Sequence, residues 1–411
     1  MVSLHLAKNM LGQNYFEKRL GDIYQYSHIA YKSGKGRTNN REYFWELCVD
    51  ACGNIIFILS SCNSLQDSSN ISKIEHFSGV SDDDIWNLNC TDIHILAKEV
   101  EVSEKLVKLV LFCLPSSIVL ARKDQSPSEI TLAKAYFSNF DFSGVDCERG
   151  FFINVGSKKF CFQTLEANKE LIKLIEIGRI PNALLCQVSI PVNKNDSISA
   201  IEDEASSISW FLSLLNLNSA FIPIIEYSSD SEILQYSLEN TVKNSFCRSY
   251  IIDNFRINEG IPKAFESCYQ SYKNWQAKID INFLIGFLVE INQQKYIDIK
   301  LAVMLMAYEY LLFKYLLNEG LTQDKIGDNI QKKLQQINGF LRFIPSGMMD
   351  DTLRGSVRNP LFHQGEIPLL TLAEKINLFK EYYDLLIRII LRILGYTGQY
   401  MSVVTHSPSQ P

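Results

Sequence analysis

What this 411-residue sequence lacks narrows it first. It has no excess of positive charge: 46 Asp and Glu outweigh 40 Lys and Arg, a formal net charge of −6. No chain-wide basic surface is therefore on offer to nucleic acid or to anionic lipid. The balance shifts along the chain. Residues 1–296 hold 28 Lys and Arg against 35 Asp and Glu, whereas residues 297–411 hold 12 against 11. An anionic substrate would have to be met by a local site in the C-terminal part. Long apolar runs are missing too. The most apolar window, Leu301 to Leu317, is broken by Glu309 and Lys314 and is short for a bilayer, so no membrane partner is expected. The first residues, MVSLHLAKNMLGQN, have no apolar segment of the kind a secretory signal needs.

The ten cysteines make no metal pattern. Cys48 and Cys52 are spaced C-x3-C, but neither a second pair nor a close histidine joins them. Single cysteines in apolar runs, such as Cys113 in LVLFCLP, read as small buried residues and suit a reducing cytoplasm. The stretch KSGKGRTNNR, Lys32 to Arg41, is basic and glycine-bearing, but no Gly-Lys-Ser/Thr closes it as a phosphate loop. It reads as a solvated loop, with phosphate contact the lesser alternative. Neither a metal nor a cofactor is expected, and the cytoplasm is the expected location.

What is present is two kinds of periodicity. From about Glu42 to Ile190, short apolar runs alternate with turn signals. FWELCVDACGNIIFILSS folds two such runs about Gly53-Asn54, and FFINVGSKKFCFQT does so about Gly156-Ser157. KLVKLVLFCLP and SSIVLAR read as further strands, the whole suggesting a sandwich or small barrel. PVNKNDSIS, near 191–199, marks a boundary, after which the period becomes helical, with Ser197 or Ser199 as first cap. Helices are predicted over 262–275, 281–291, 297–317 and 324–340. The last, 372–394, opens on the capping box Thr371-x-x-Glu374 and closes at Gly395. Arg388 and Arg392 near its end read as a solvated pair that complements the helix dipole. The expected class is α+β and multidomain: a mostly-β domain over 1–195 for sensing or regulation, a helical middle over 196–296, a helical bundle over 297–396, and a disordered tail over 397–411.

Between the last two helices lies RNPLFHQGE, Arg358 to Glu366. Pro360 pushes Asn359 away from helical geometry, so Asn359 is expected to cap a turn that presents Arg358 and His363 to one pocket. Leu361 and Phe362 are expected to supply apolar packing. Arginine offers a fixed charge and a planar fork of donors for phosphate oxygens. Histidine titrates near cellular pH and can give or take a proton. Together with an asparagine to position them, these are the parts needed to cleave RNA through its own 2′-hydroxyl, without a metal. The bland alternative is a capped turn between helices.

In this setting RNPLFH, an R-x4-H motif near the end of a helical bundle, resembles the HEPN superfamily (higher eukaryotes and prokaryotes nucleotide-binding domains). The likeness covers about 297–396. It implies a helical bundle, ribonuclease activity, Arg358, Asn359 and His363 as site residues, and a homodimer whose two motifs form a composite site. Glu309 and Lys314 partly match the E-x3-K-R pattern often carried on an earlier helix of that domain, and so are supporting residues. More loosely, the layout is similar to ApeA-type anti-phage defence proteins. That likeness implies abortive infection, with a phage-derived or nucleotide trigger. A non-catalytic binding or dimerisation module, or a toxin of a toxin–antitoxin or CRISPR-associated system, are the alternatives.

Overall fold

The computed structural model describes residues 29–411 except 39–40, 51, 62–71, 104–105, 127–128, 142–149, 157, 166–167, 179, 230–231, 241–249, 254–255 and 350–352. The MVSLHLAKNMLGQN segment, Ser157 and the Asn39-Asn40 pair lie outside the described residues. The chain is antiparallel β in its first part and helical in its second, a mixed α+β protein. It does not part at 195 and 296. It divides into two compact units, one of residues 1–139, 162–206 and 221–243, the other of 140–161, 207–220 and 244–411. The expected helical middle is shared between them: 196–206 and 221–243 go with the β-rich unit, and 207–220 and 244–296 with the C-terminal helices.

In the first unit, β1 (Ile29–Thr38), β2 (Arg41–Val49), β3 (Ile55–Ser61), β4 (Lys73–Ser81), β5 (Trp86–Ser103) and β6 (Leu106–Arg122) lie in the order β3-β2-β1-β4-β5-β6. β3 also pairs with β6, Phe57 opposite Cys113, so these six strands close into a barrel. Alternation puts Tyr43, Trp45 and Leu47 of β2 inside and Glu42 and Phe44 outside. Inside they meet Phe57, Phe77, Leu88 and Leu111. Burial there pushes the Cys113 thiol up to about 12, so it stays a neutral, unreactive filler.

Two expectations change here. KSGKGR is not a loop but most of β1. A Cβ on Gly34 would collide with the Val80 carbonyl and the Trp45 ring, and one on Gly36 would sit 2.5 Å from the Phe77 ring. Its glycines therefore serve close packing inside the barrel. KLVKLVLFCLP and SSIVLAR are one strand. β6 pairs with β3 up to Cys113 and, from Ser117 onward, with β12 (Ile233–Glu239). Pro115 falls at the changeover, where neither partner takes its missing N–H. The sheet continues through β12, β11 (Ile224–Ser228), β7 (Leu132–Ser138) and β10 (Leu184–Pro191). Strands β8 (Phe151–Val155) and β9 (Lys158–Thr164) turn about Gly156, whose φ of 59° suits a residue without Cβ.

The helices are α1 (Asn168–Glu176), α2 (Ile198–Asn216), α3 (Gly260–Ile279), α4 (Ile281–Gln293), α5 (Ile297–Asn318), α6 (Ile330–Leu341), α7 (Asn359–Gln364) and α8 (Leu372–Ile393). Ser197 caps α2, its Oγ accepting from Ala200 N at 3.1 Å. In the second unit α5 and α8 pack together: Tyr308 is fully buried and donates to the Tyr382 carbonyl at 2.5 Å, and Lys375 pairs with Asp298 at 3.0 Å. Trp275 of α3 stacks on Tyr315 of α5 at 5.5 Å between ring centres. The predicted capping box of α8 forms, with Thr371 N donating to Glu374 Oε2 at 2.8 Å and Glu374 N to Thr371 Oγ1 at 3.3 Å.

The tail is ordered, contrary to expectation. β13 (Tyr400–Met401) and β14 (Pro408–Ser409) pair, Tyr400 and Val403 both donate to the buried Asp384 carboxylate of α8, and Arg392 donates to the Pro411 carbonyl at 2.6 and 2.9 Å. Arg388 and Arg392 both lie over the Phe343 ring, 5.0 and 5.2 Å from its centre. They pack and anchor, and do not form a merely solvated pair. No helix among the described residues is long and apolar enough to cross a membrane.

Candidate active site

Three elements of the helical unit meet at the motif. Residues Leu353–Arg358 form a π-helical turn that runs straight into α7, with Arg358 itself helical at φ −59°, ψ −53°. Asn359 is thus not a cap, and the expected break before Pro360 does not occur. A proline ring in an α-helix collides with the carbonyl four residues back; the wider π winding ahead of Pro360 makes room for it. Leu353 and Val357 are buried and, with the buried Ile367 after the motif, fix the segment to the bundle. Gly365, at φ 79°, ends α7.

Arg358 turns toward α5. Its Nε lies 3.5 Å from Glu309 Oε1, while the other oxygen of that carboxylate is held by Lys333 of α6. The Lys333 side chain is only 9% exposed and Arg358 is 41% exposed. Glu309 is bound firmly from the protein side and loosely from the solvent side. Two cations share one carboxylate, which leaves one positive charge in excess, and Arg358 approaches Glu309 most closely through Nε. Among the described residues its two terminal nitrogens make no hydrogen bond. Its guanidinium also lies 5.8 Å from the Phe362 ring centre. Phe362 is 51% exposed, so it flanks the arginine and is not the packing residue expected. Leu361 is half-buried.

His363 is exposed and, among the described residues, makes no hydrogen bond or ion pair. It does not touch Arg358. Five residues apart on a helix correspond to about 140° of rotation and about 7.5 Å of rise. The two side chains therefore do not converge on one cleft within a single chain, as had been expected. Asn359 is half-buried, and among the described residues no side-chain hydrogen bond joins it to either. Lys314 is not brought to the site. It points along α5 to the Tyr310 ring, 5.9 Å away, and Lys333 takes the place beside Glu309.

Lys333 was missed in the sequence, although a signal was there. In IQKKLQQI the buried stripe is Ile330, Leu334 and Ile337, and of the adjacent lysines only Lys333 falls on it. A lysine on an apolar stripe needs a buried carboxylate, and Glu309 is the acid in the apolar window of α5.

No family model matches this sequence, and no curated protein matches it. Among solved structures, a type VI secretion system effector from Yersinia pestis aligns over 23% of this chain and 88% of its own, at 9% identity and a TM-score of 0.16. A likeness that slight carries no argument about fold or function.

Proposed function

We propose that the helical unit is a metal-independent endoribonuclease of the HEPN type that acts in antiviral defence by abortive infection. The observation that carries this reading is the half-exposed Arg358, its Nε 3.5 Å from Glu309 and its terminal nitrogens without a hydrogen bond among the described residues, five positions before the exposed His363. A phosphate diester would be gripped by the arginine fork, whose excess charge stabilises the crowded, doubly charged phosphate of the transition state. A base takes the proton of the ribose 2′-hydroxyl, and the oxygen attacks the adjacent phosphorus. The bond from phosphorus to the 5′-oxygen breaks, and that oxygen takes a proton. The products are a 2′,3′-cyclic phosphate and a 5′-hydroxyl. One histidine serves one of these proton transfers, so a second copy of the chain would bring the other in a composite, two-fold site. The angular separation of Arg358 and His363 on α7 favours such sharing. Asn359 would contact substrate, and Glu309 with Lys333 would position Arg358. The β-rich unit would receive the trigger, phage-derived or a nucleotide.

One observation favours a second reading. The Arg358–Glu309 contact ties the motif to α5, as a structural ion pair would in a non-catalytic binding or dimerisation module. The experiment that separates the two is incubation of the purified protein with RNA and with DNA of equal sequence, in EDTA and alongside cells expressing the chain. RNA cleavage that persists in EDTA and spares DNA supports the nuclease. A protein inert on RNA and harmless when expressed under phage challenge contradicts it.

A further inference from the structure

A second place gathers charge, an aromatic ring and hydrogen-bonding groups on one surface. It is the outer face of the barrel across β2, β1, β4 and β5. Strand register sets the arrangement: one row across the sheet reads Phe44, Lys35, Val80, Asn87, and the next reads Glu42, Arg37, Ser78, Asn89. Side chains two apart on a strand share a face and stand roughly 6.6 Å apart. Gly34 and Gly36 take the inward positions of β1, so Lys35 and Arg37 project outward together, and both are exposed. The two rows line an open groove of about 770 Å³. Phe44 is 45% exposed within it, with Lys35 Nζ 5.3 Å from its ring centre. Arg37 and Glu42 are direct cross-strand partners, yet among the described residues they form no ion pair.

Burial explains none of these side chains. Two cations against one carboxylate make the groove locally positive on a chain of net charge −6, so its ligand is an anion. An exposed ring beside the cations calls for a flat, stackable group, and Ser78, Asn87 and Asn89 offer donors and acceptors to polar edges. Single-stranded nucleic acid combines the three: regularly spaced phosphates, open π-faces, and base and sugar edges free to hydrogen-bond. A duplex hides its bases from Phe44. We infer that the outer face of the barrel binds a short single-stranded oligonucleotide, with Lys35 and Arg37 on the phosphates and Phe44 under a base. This goes beyond the nuclease reading and does not depend on it, because the groove lies wholly in the β-rich unit.

The test uses the full chain and a fluorescent eight-residue oligouridylate carrying 2′-O-methyl groups, which cannot be cleaved through a 2′-hydroxyl. Fluorescence anisotropy over a salt series should show saturable binding that weakens as salt rises. The double variant Lys35→Gln/Arg37→Gln should lose at least about tenfold in affinity, with the salt slope falling by about 0.7 for each cation removed. Phe44→Ser should lose about tenfold through stacking. Lys194→Gln, an exposed lysine elsewhere in the same unit, should change nothing. Melting curves matching the wild type show that the variants are folded. Absence of saturable binding, equal affinity for a duplex, unchanged affinity in the double variant, or an equal loss in Lys194→Gln would each overturn the inference. So would uridine monophosphate competing as tightly as the oligomer.

Discussion

The barrel interior and the Arg358 site handle ionisable residues in opposite ways. Inside the barrel, Trp45, Phe57, Phe77 and Leu111 pack without a charged neighbour in the core cluster, the Cys113 thiol stays protonated, and Lys35, Arg37 and Glu42 stand outside. In the helical unit a lysine is taken almost out of water to hold Glu309, and Glu309 in turn steers a half-exposed arginine. Burying an ammonium group costs several kcal/mol unless it is paired, so such an arrangement is a poor way to gain stability. The contrast separates a place built to stay folded from one built to present charge.

The largest effect expected is on chemistry. Arg358→Ala and His363→Ala should each lower RNA cleavage by about 10² to 10⁴-fold. Both side chains are substantially exposed, so unfolding free energy should move by no more than about 1 kcal/mol. A sharp loss of stability with activity kept would erase the contrast and leave the motif a structural turn.

Next in size is the barrel. Trp45→Ala removes a fully buried ring and should cost about 3–5 kcal/mol in denaturant unfolding, with RNA cleavage by the remaining folded protein intact. A cost under about 1 kcal/mol would mean that the ring is not packed as described.

A smaller effect tests the hinge of the comparison. Lys333→Met leaves the Glu309 carboxylate with only its looser, half-exposed partner Arg358 and should cost about 1–3 kcal/mol. Adding Glu309→Gln should recover much of that loss, because no carboxylate is then left without its buried lysine. Failure of the second change to rescue the first would place Lys333 outside any network with Glu309. Smallest of all, Phe362→Ala should stay within about 0.5 kcal/mol, since the half-exposed ring flanks Arg358 and fills no core.

These differences also mark what the sequence made legible. The α8 helix was readable to within a residue because its capping box and apolar stripe are local signals. The strand-to-helix change was readable only coarsely: β11 and β12 fall in the stretch expected to be helical, and α1 in the stretch expected to be strand. β1 was not, because the glycines of KSGKGR look like loop residues until Trp45 and Phe77 press against them across the sheet. Proline misled twice: Pro115 sits inside a strand at a change of partners, and Pro360 sits inside a helix relieved by a π turn. The tail reads as disorder in the sequence because its anchor, Asp384, lies on α8, 16 residues before Tyr400. At the site, Arg358, His363 and Glu309 stood out by residue type. Their partners depend on which helices meet, so Lys333 replaced Lys314 unseen.

The most direct test of the central claim is the chemistry of the ends. Fragments made by the wild-type protein from a defined RNA in EDTA are analysed by mass spectrometry. Attack by the 2′-hydroxyl at the Arg358–His363 site predicts 2′,3′-cyclic phosphate on one fragment and a 5′-hydroxyl on the other. A 3′-hydroxyl paired with a 5′-phosphate would show that water is the nucleophile, and would contradict the mechanism.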